Sequence, residues 1–321
     1  MSYQEGNVKQ ERRKRKIRHW FFFFIALLLI ALCVFSAFVP PSTWKYRIVL
    51  PTLSPREEGE LRIHVLDSKH GDCTLLELPN GETVLLGGGA DEEASRENVL
   101  RFLYALKPKR IDYLVATGIH RDQNGALERV IDFFEVGKVY LSIQTGGQSG
   151  AYSNFVAAAN RKGIACVSPS RGELLYQSAD ALCSVRFLGA EGEENAAKET
   201  ALYVTYGATN AILGGEMNAK LLQQLMQEDA VGVFSPWGIS FEETEIVKIG
   251  SKVDEETAQF FLRWSGGRDA VISCREEPSY APDETLVTAI CGNAKRLFRT
   301  DEDGHITFII TNEGYQVKTE K

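Results

Sequence analysis

Residues 113–126 carry the most distinctive chemistry in this chain, reading Tyr-Leu-Val-Ala-Thr-Gly-Ile-His-Arg-Asp-Gln-Asn-Gly-Ala. An apolar stretch, 113–116, delivers the backbone into a polar turn that holds His120 and Asp122 two positions apart. An imidazole and a carboxylate so spaced are donors of the kind that hold a zinc-class ion and let its bound water ionise near neutral pH. A turn built for two such ions would read His-x-His-x-Asp-His. Here Gly118 takes the first of those positions and Gln123 the last, and neither is a zinc ligand of any strength. What the turn can still do depends on what other loops bring to it.

The elements that would position those loops alternate between strand and helix signals. Short apolar runs at 61–66, 73–78 and 83–86 read as strands, the last two joined by a hairpin at Pro79-Asn80-Gly81-Glu82. Val99, Phe102, Leu103 and Leu106 recur at helical spacing within 95–106. Further strands are expected at 111–116, 139–143, 185–188, 201–206, 211–213, 246–249, 270–273, 305–311 and 315–317. Helices are expected at 126–134, 152–162, 218–227, 255–263 and 285–290. Each half of the chain passes from hairpins into strand–helix units, which suits an α/β fold of two sheets face to face with helices outside.

Charge is unevenly distributed along the chain. Residues 1–19 hold seven Lys and Arg against two Glu, so the remainder carries 29 basic and 41 acidic side chains. A body that acidic repels phosphate backbones, which argues against a nucleic-acid partner. Residues 20–39 carry no charge, and a helix of about 20 residues at ~1.5 Å each crosses a ~30 Å hydrocarbon core. The run exceeds the ~7–15 residues of a signal-peptide core, is apolar all round and is followed by no small-x-small cleavage site. It is expected to be a single-pass anchor in the cell membrane. The basic cluster would keep the N-terminus cytoplasmic and place the rest extracytoplasmic. The expected organisation is a basic cytoplasmic tail (1–19), a transmembrane anchor (20–39), a linker rich in proline and charge (40–60) and one domain (61–317).

Other chemistries find little support. Six cysteines include no Cys-x-x-Cys pair, and those beyond Cys33 read as small buried hydrophobes. No Gly-x-Ser-x-Gly elbow occurs. The glycines at 146–150 and 87–89 match no phosphate-binding spacing, and the acidic run at 191–194 reads as a solvated loop.

A series of motifs stands in order along 61–317: Asp67-Ser68-Lys69-His70-Gly71-Asp72, then Leu85-Leu86-Gly87-Gly88-Gly89, then the turn at 117–126. Ile212-Leu213-Gly214-Gly215-Glu216, Val247-Lys248-Ile249-Gly250-Ser251-Lys252, Ala281-Pro282 and the turn at 299–304 follow. In this order and spacing the chain resembles the hydrolase domain of ComEC-type competence proteins. The resemblance implies an αββα four-layer metallo-β-lactamase sandwich with a two-metal site. The family's donors would fall on Gly118, His120, Asp122, Gln123, Glu216, Ser251, Lys252 and Ala281, with a further aspartate at Gly87. His120 and Asp122 match outright, and Glu216 replaces an aspartate. These three are the expected metal donors, a vestige of the family's set.

His70 stands in the turn where the family has glutamine, and with Asp72 and Lys252 it is expected to line the pocket. The Lys252 ammonium could take a metal's place by pairing with Asp122 or Glu216, or lie solvated on the surface. Ligands lost at several separate loops imply a non-catalytic binding or regulatory module for an unidentified protein or small molecule. The retained His120, Asp122 and Glu216 imply the alternative, a phosphodiesterase-like hydrolase using one zinc or manganese ion. A role in DNA uptake fits poorly with the acidic body and single span.

Overall fold

The charge-free stretch near the N-terminus is helical, the conformation that satisfies backbone amides without water. The computed structural model describes residues 2–141, 148–189, 199–275, 277, 281–294 and 296–321, without the side chains of 2–13 and 37–38. The runs at 146–147 and 191–194 and the end of the strand expected at 139–143 lie outside these residues. Helix α1 spans Ser2–Phe38, so the basic tail belongs to the same helix as the apolar segment. Its Lys14–Ser36 portion is long and apolar enough to cross a membrane. The chain divides into two units, Met1–Ile48 and Val49–Lys321, and a short 3-10 helix, Pro41–Arg47, lies in the first.

The second unit holds β1 (Leu61–Val65), β2 (Thr74–Glu77), β3 (Thr83–Leu86), α2 (Glu93–Leu106), β4 (Ile111–Val115), α3 (Leu127–Phe133), β5 (Val136–Tyr140), α4 (Gly150–Arg161) and β6 (Ala165–Val167). It continues with β7 (Leu174–Gln177), β8 (Cys183–Phe187), β9 (Ala201–Tyr206), β10 (Thr209–Gly214), α5 (Ala219–Ala230), β11 (Thr244–Lys248), α6 (Glu255–Ser265) and β12 (Asp269–Ile272). It closes with α7 (Glu284–Asn293), β13 (Arg296–Arg299), α8 (Thr300–Asp303), β14 (Ile306–Thr311) and β15 (Gly314–Thr319).

Among the described residues these strands form an eight-stranded sheet, β15-β14-β1-β2-β3-β4-β5-β6, and a seven-stranded sheet, β13-β12-β11-β10-β9-β8-β7. Each is antiparallel at its hairpin end and becomes parallel where strand–helix units begin, at β3–β4 and at β10–β11. Side-chain alternation sorts the layers. Ile63, Leu76, Val84 and Val115 of the first sheet meet Val185, Phe187, Leu202 and Ile246 of the second in one core. Tyr203, Ile212, Val247 and Ala270 turn the other way, onto Leu221, Leu225, Phe261 and Leu286 of α5, α6 and α7. On the far face of the first sheet, Phe102 of α2 lies 5.2 Å from the His64 ring. The result is the four-layer αββα sandwich.

Polar residues fix where the elements start and turn. Ser149, Asn218 and Asp254 accept hydrogen bonds from the first-turn amides of α4, α5 and α6. In the β2–β3 hairpin the Asn80 side chain accepts from Glu82 N at 3.0 Å, and Gly81 supplies the left-handed φ of +89°. All six cysteines are free; Cys73, Cys183 and Cys274 are buried, whereas Cys291 is exposed and so departs from the expected buried role.

Asp254→Ala removes the α6 cap, in which Asp254 Oδ1 accepts from Thr257 N at 2.9 Å. Urea denaturation of the full-length protein in detergent should show a loss of about 1 kcal/mol, with Asp254→Ser close to wild type.

Candidate functional site

The loops that leave the carboxyl ends of β3, β4, β10, β11 and β12 converge with the β1–β2 turn, the edge at which open α/β sheets bind ligands. They enclose a cavity of about 610 Å³. His70, Asp72, His120, Asp122, Glu216 and Lys252 all line it, so the fold brings together the six residues singled out from the sequence. Three of these loops are laced together by their backbones. Gly88 N donates to Gln123 O, Gly125 N to Gly89 O, Asp91 N to Arg121 O, and Gly89 N to Asp72 O, each within 2.8–2.9 Å. Gly71 lets them close up: a Cβ there would stand 2.0 Å from Asp122 O, and its φ is +74°.

The interior beneath the cavity is filled by protein groups. A Cβ on Gly118 would lie 2.0 Å from Gln123 Oε1, so the Gln123 amide occupies the space a side chain at 118 would need. That amide accepts from His120 N at 3.2 Å and reaches Glu199 Oε1 at 3.5 Å. Asn218, while capping α5, donates through Nδ2 to the same Glu199 oxygen at 2.9 Å. Lys248, 1% exposed, directs its ammonium to Asp72 and to the carbonyls of Gly214 and Gly215, the last at 2.8 Å.

The positions of the individual donors decide what the site can hold. His70 Nδ1 lies 3.3 Å from Glu92 Oε1, and its Nε2 lies 3.8 Å from Asp122 Oδ2. His120 is exposed, and so is Glu216. The Glu216 carboxyl is nevertheless pushed above the ordinary range, first by desolvation and then by Asp72 and Asp122, with His120 and Lys248 opposing. Among the described residues no group of three or more His, Cys, Asp or Glu side chains is arranged to hold a metal ion. With Gln123 filling the space at Gly118 and Lys248 already neutralising Asp72, these residues do not fit a two-metal centre.

Lys252 takes the second of its two expected positions, on the surface. It is exposed and donates to Ala281 O at 2.7 Å, and it pairs with neither Asp122 nor Glu216. The buried ammonium comes instead from Lys248, and its partner is Asp72. Alternation along β11 explains this: Val247 faces the outer helices, whereas Ile246 and Lys248 face the opposite sheet, and Lys252 lies beyond the strand. A lone charge inside the apolar run 246–249 was the available signal for a buried pair.

Glu199 had no such signal, standing in a polar stretch before β9. It is 7% exposed, and Oε2 has no hydrogen-bond partner among the described residues; nor do the buried hydroxyls of Thr117 and Thr200, whose backbones pair at 2.8 Å. Desolvation, helped by nearby Glu216 and Asp72, pushes the Glu199 carboxyl up to about 8.

Two outcomes follow for stability. Lys248→Met strands the Asp72 charge and should cost about 3–5 kcal/mol in urea denaturation, with much of the loss recovered in Lys248→Met/Asp72→Asn. Glu199 holds its proton more tightly folded, at about 8, than at its ordinary 4.5. Its contribution is therefore complete below pH ~4.5 and is lost as pH rises through ~8, a fall on the order of a few kcal/mol. Glu199→Gln should flatten that part of the stability-against-pH curve.

No protein-family model and no curated protein matches the sequence. Solved structures do match. CmlA, a diiron β-hydroxylase from Streptomyces venezuelae, is 14% identical, over 83% of this chain and 55% of that chain, with a TM-score of 0.44. A long-form RNase Z from yeast is 9% identical, over 82% of this chain and 43% of that one, with a TM-score of 0.46. A metallo-β-lactamase from Cronobacter sakazakii with a HARLDQ motif is 18% identical, over 51% and 63%, with a TM-score of 0.33. The chain thus spans 54–55% of the CmlA chains it matches. At these identities and TM-scores the likeness carries no conclusion about what this chain binds or does.

Proposed function

We propose that this chain is a membrane-anchored, extracytoplasmic relative of the ComEC-type hydrolase domain that binds a partner protein or small molecule through its cavity and performs no hydrolysis. The observation that carries the reading is the Gln123 amide standing in the space at Gly118, where a metal-binding side chain would have to reach. Lys248 supports it, because an ammonium held against Asp72 supplies the positive charge that a bound ion would otherwise bring. The span within α1 would serve as the anchor. The basic residues ahead of it would hold that end in the cytoplasm, and the acidic remainder would keep nucleic acid away.

A second reading is favoured by the approach of His70 Nε2 to Asp122 Oδ2 at 3.8 Å. With His120 and Glu216, these side chains could hold one zinc or manganese ion after rearrangement, which would supply a hydroxide for phosphodiester cleavage.

Elemental analysis of the full-length protein purified in detergent separates the two. The binding module should carry far less than one metal per chain, leave bis(p-nitrophenyl) phosphate intact and keep its thermal midpoint when zinc or manganese is added. Near-stoichiometric metal that disappears in His120→Ala, together with a midpoint raised by added metal, would overturn it in favour of the one-metal hydrolase.

A further inference from the structure

The cavity presents groups of both charge signs that are only loosely paired with one another. Asp122 and Glu216 are its acidic members, since Asp72 is already engaged by Lys248. Asp122 has only long contacts with basic side chains, Arg121 Nε at 3.9 Å and His70 Nε2 at 3.8 Å, and Glu216 has no lysine or arginine within 4.0 Å among the described residues. Arg121 and Lys252 are the basic members left for a ligand, since Arg275 in the same lining is engaged by Glu92 and Glu277. Lys252 donates to a neutral carbonyl, Ala281 O, and has no carboxylate within 4.0 Å among the described residues. Arg121 is 64% exposed along its side chain. The Ser273 hydroxyl in the same wall is buried and has no partner among the described residues.

Each simple ligand class meets an obstacle here. A phosphate-rich ligand would face Asp122 and Glu216, and a purely cationic one would face Arg121 and Lys252. An apolar ligand would strand all four charges and the serine hydroxyl out of water. A molecule with one ammonium and one carboxylate matches both sets, and a cavity of this volume takes a small molecule of that kind. Building on the binding-module reading, we infer that the cavity recognises a small zwitterion of the amino-acid or short-peptide class. Its ammonium is held by Glu216 and Asp122, and its carboxylate by Lys252 and Arg121.

Three isosteric probes test this by calorimetry on the full-length protein in detergent: alanylalanine, its C-terminal amide and its N-acetyl form. The free dipeptide should bind about tenfold more tightly than either blocked form. Glu216→Gln should erase its advantage over the N-acetyl form, and Lys252→Met its advantage over the amide. Metal-free protein that binds none of the three, or binds all three equally, overturns the inference and leaves the binding-module reading standing. Stoichiometric metal in the purified protein removes that reading and this inference together.

Discussion

The ion pair between Lys248 and Asp72 fixes the open end of the sandwich. Asp72 lies in the turn before β2 of one sheet and Lys248 at the end of β11 of the other, so the contact ties the two layers where their loops must meet. The same ammonium gathers the carbonyls of Gly214 and Gly215, which positions the loop carrying Glu216. Buried pairs of this kind contribute little net stability compared with apolar packing, because both ions lose their hydration. What the pair supplies is geometry: the sheets can slide or splay only by exposing an unmatched charge to the interior.

Around that fixed point the site is organised as a layered polar structure. Backbone hydrogen bonds lace the loops into one rim. Beneath it Gln123, Asn218 and Glu199 form a continuous path from the cavity wall to the cap of α5. Glu199 sits at the end of that path with an oxygen that finds no partner among the described residues, and desolvation first of all raises its proton affinity. The cavity and the helix behind it are therefore mechanically continuous.

Much of this fold is legible in the sequence, because interior strands announce themselves. β1 to β4, β9 and the Asn80-Gly81 hairpin follow from apolar runs and turn residues. The strands that escape notice, β6, β7 and β13, are all edge strands, with one face or flank open to water and correspondingly mixed composition. β5 lies three residues earlier than its apolar pattern suggests, because pairing with β4 and β6 sets its register. The site is legible as a set of loops, since motif order brings His70, His120, Asp122, Glu216 and Lys252 to one cavity. Its interior is not. The one local hint at Lys248 is its place inside the apolar run 246–249; strand alternation and the facing sheet bury it, whereas Lys252 beyond the strand is exposed.

The lodging of Gln123 in the space at Gly118 also makes the two positions interdependent. A histidine introduced at 118 would require the Gln123 amide to move, its Oε1 standing 2.0 Å from the new Cβ, while a histidine introduced at 123 alone would face a glycine with no donor. Lys248 would still oppose an incoming cation from below. Building a metal centre here would therefore take coordinated changes at 118, 123 and 248. Positions 118, 123 and 248 thus act as one coupled unit, in which a change at any one must be accommodated by the others.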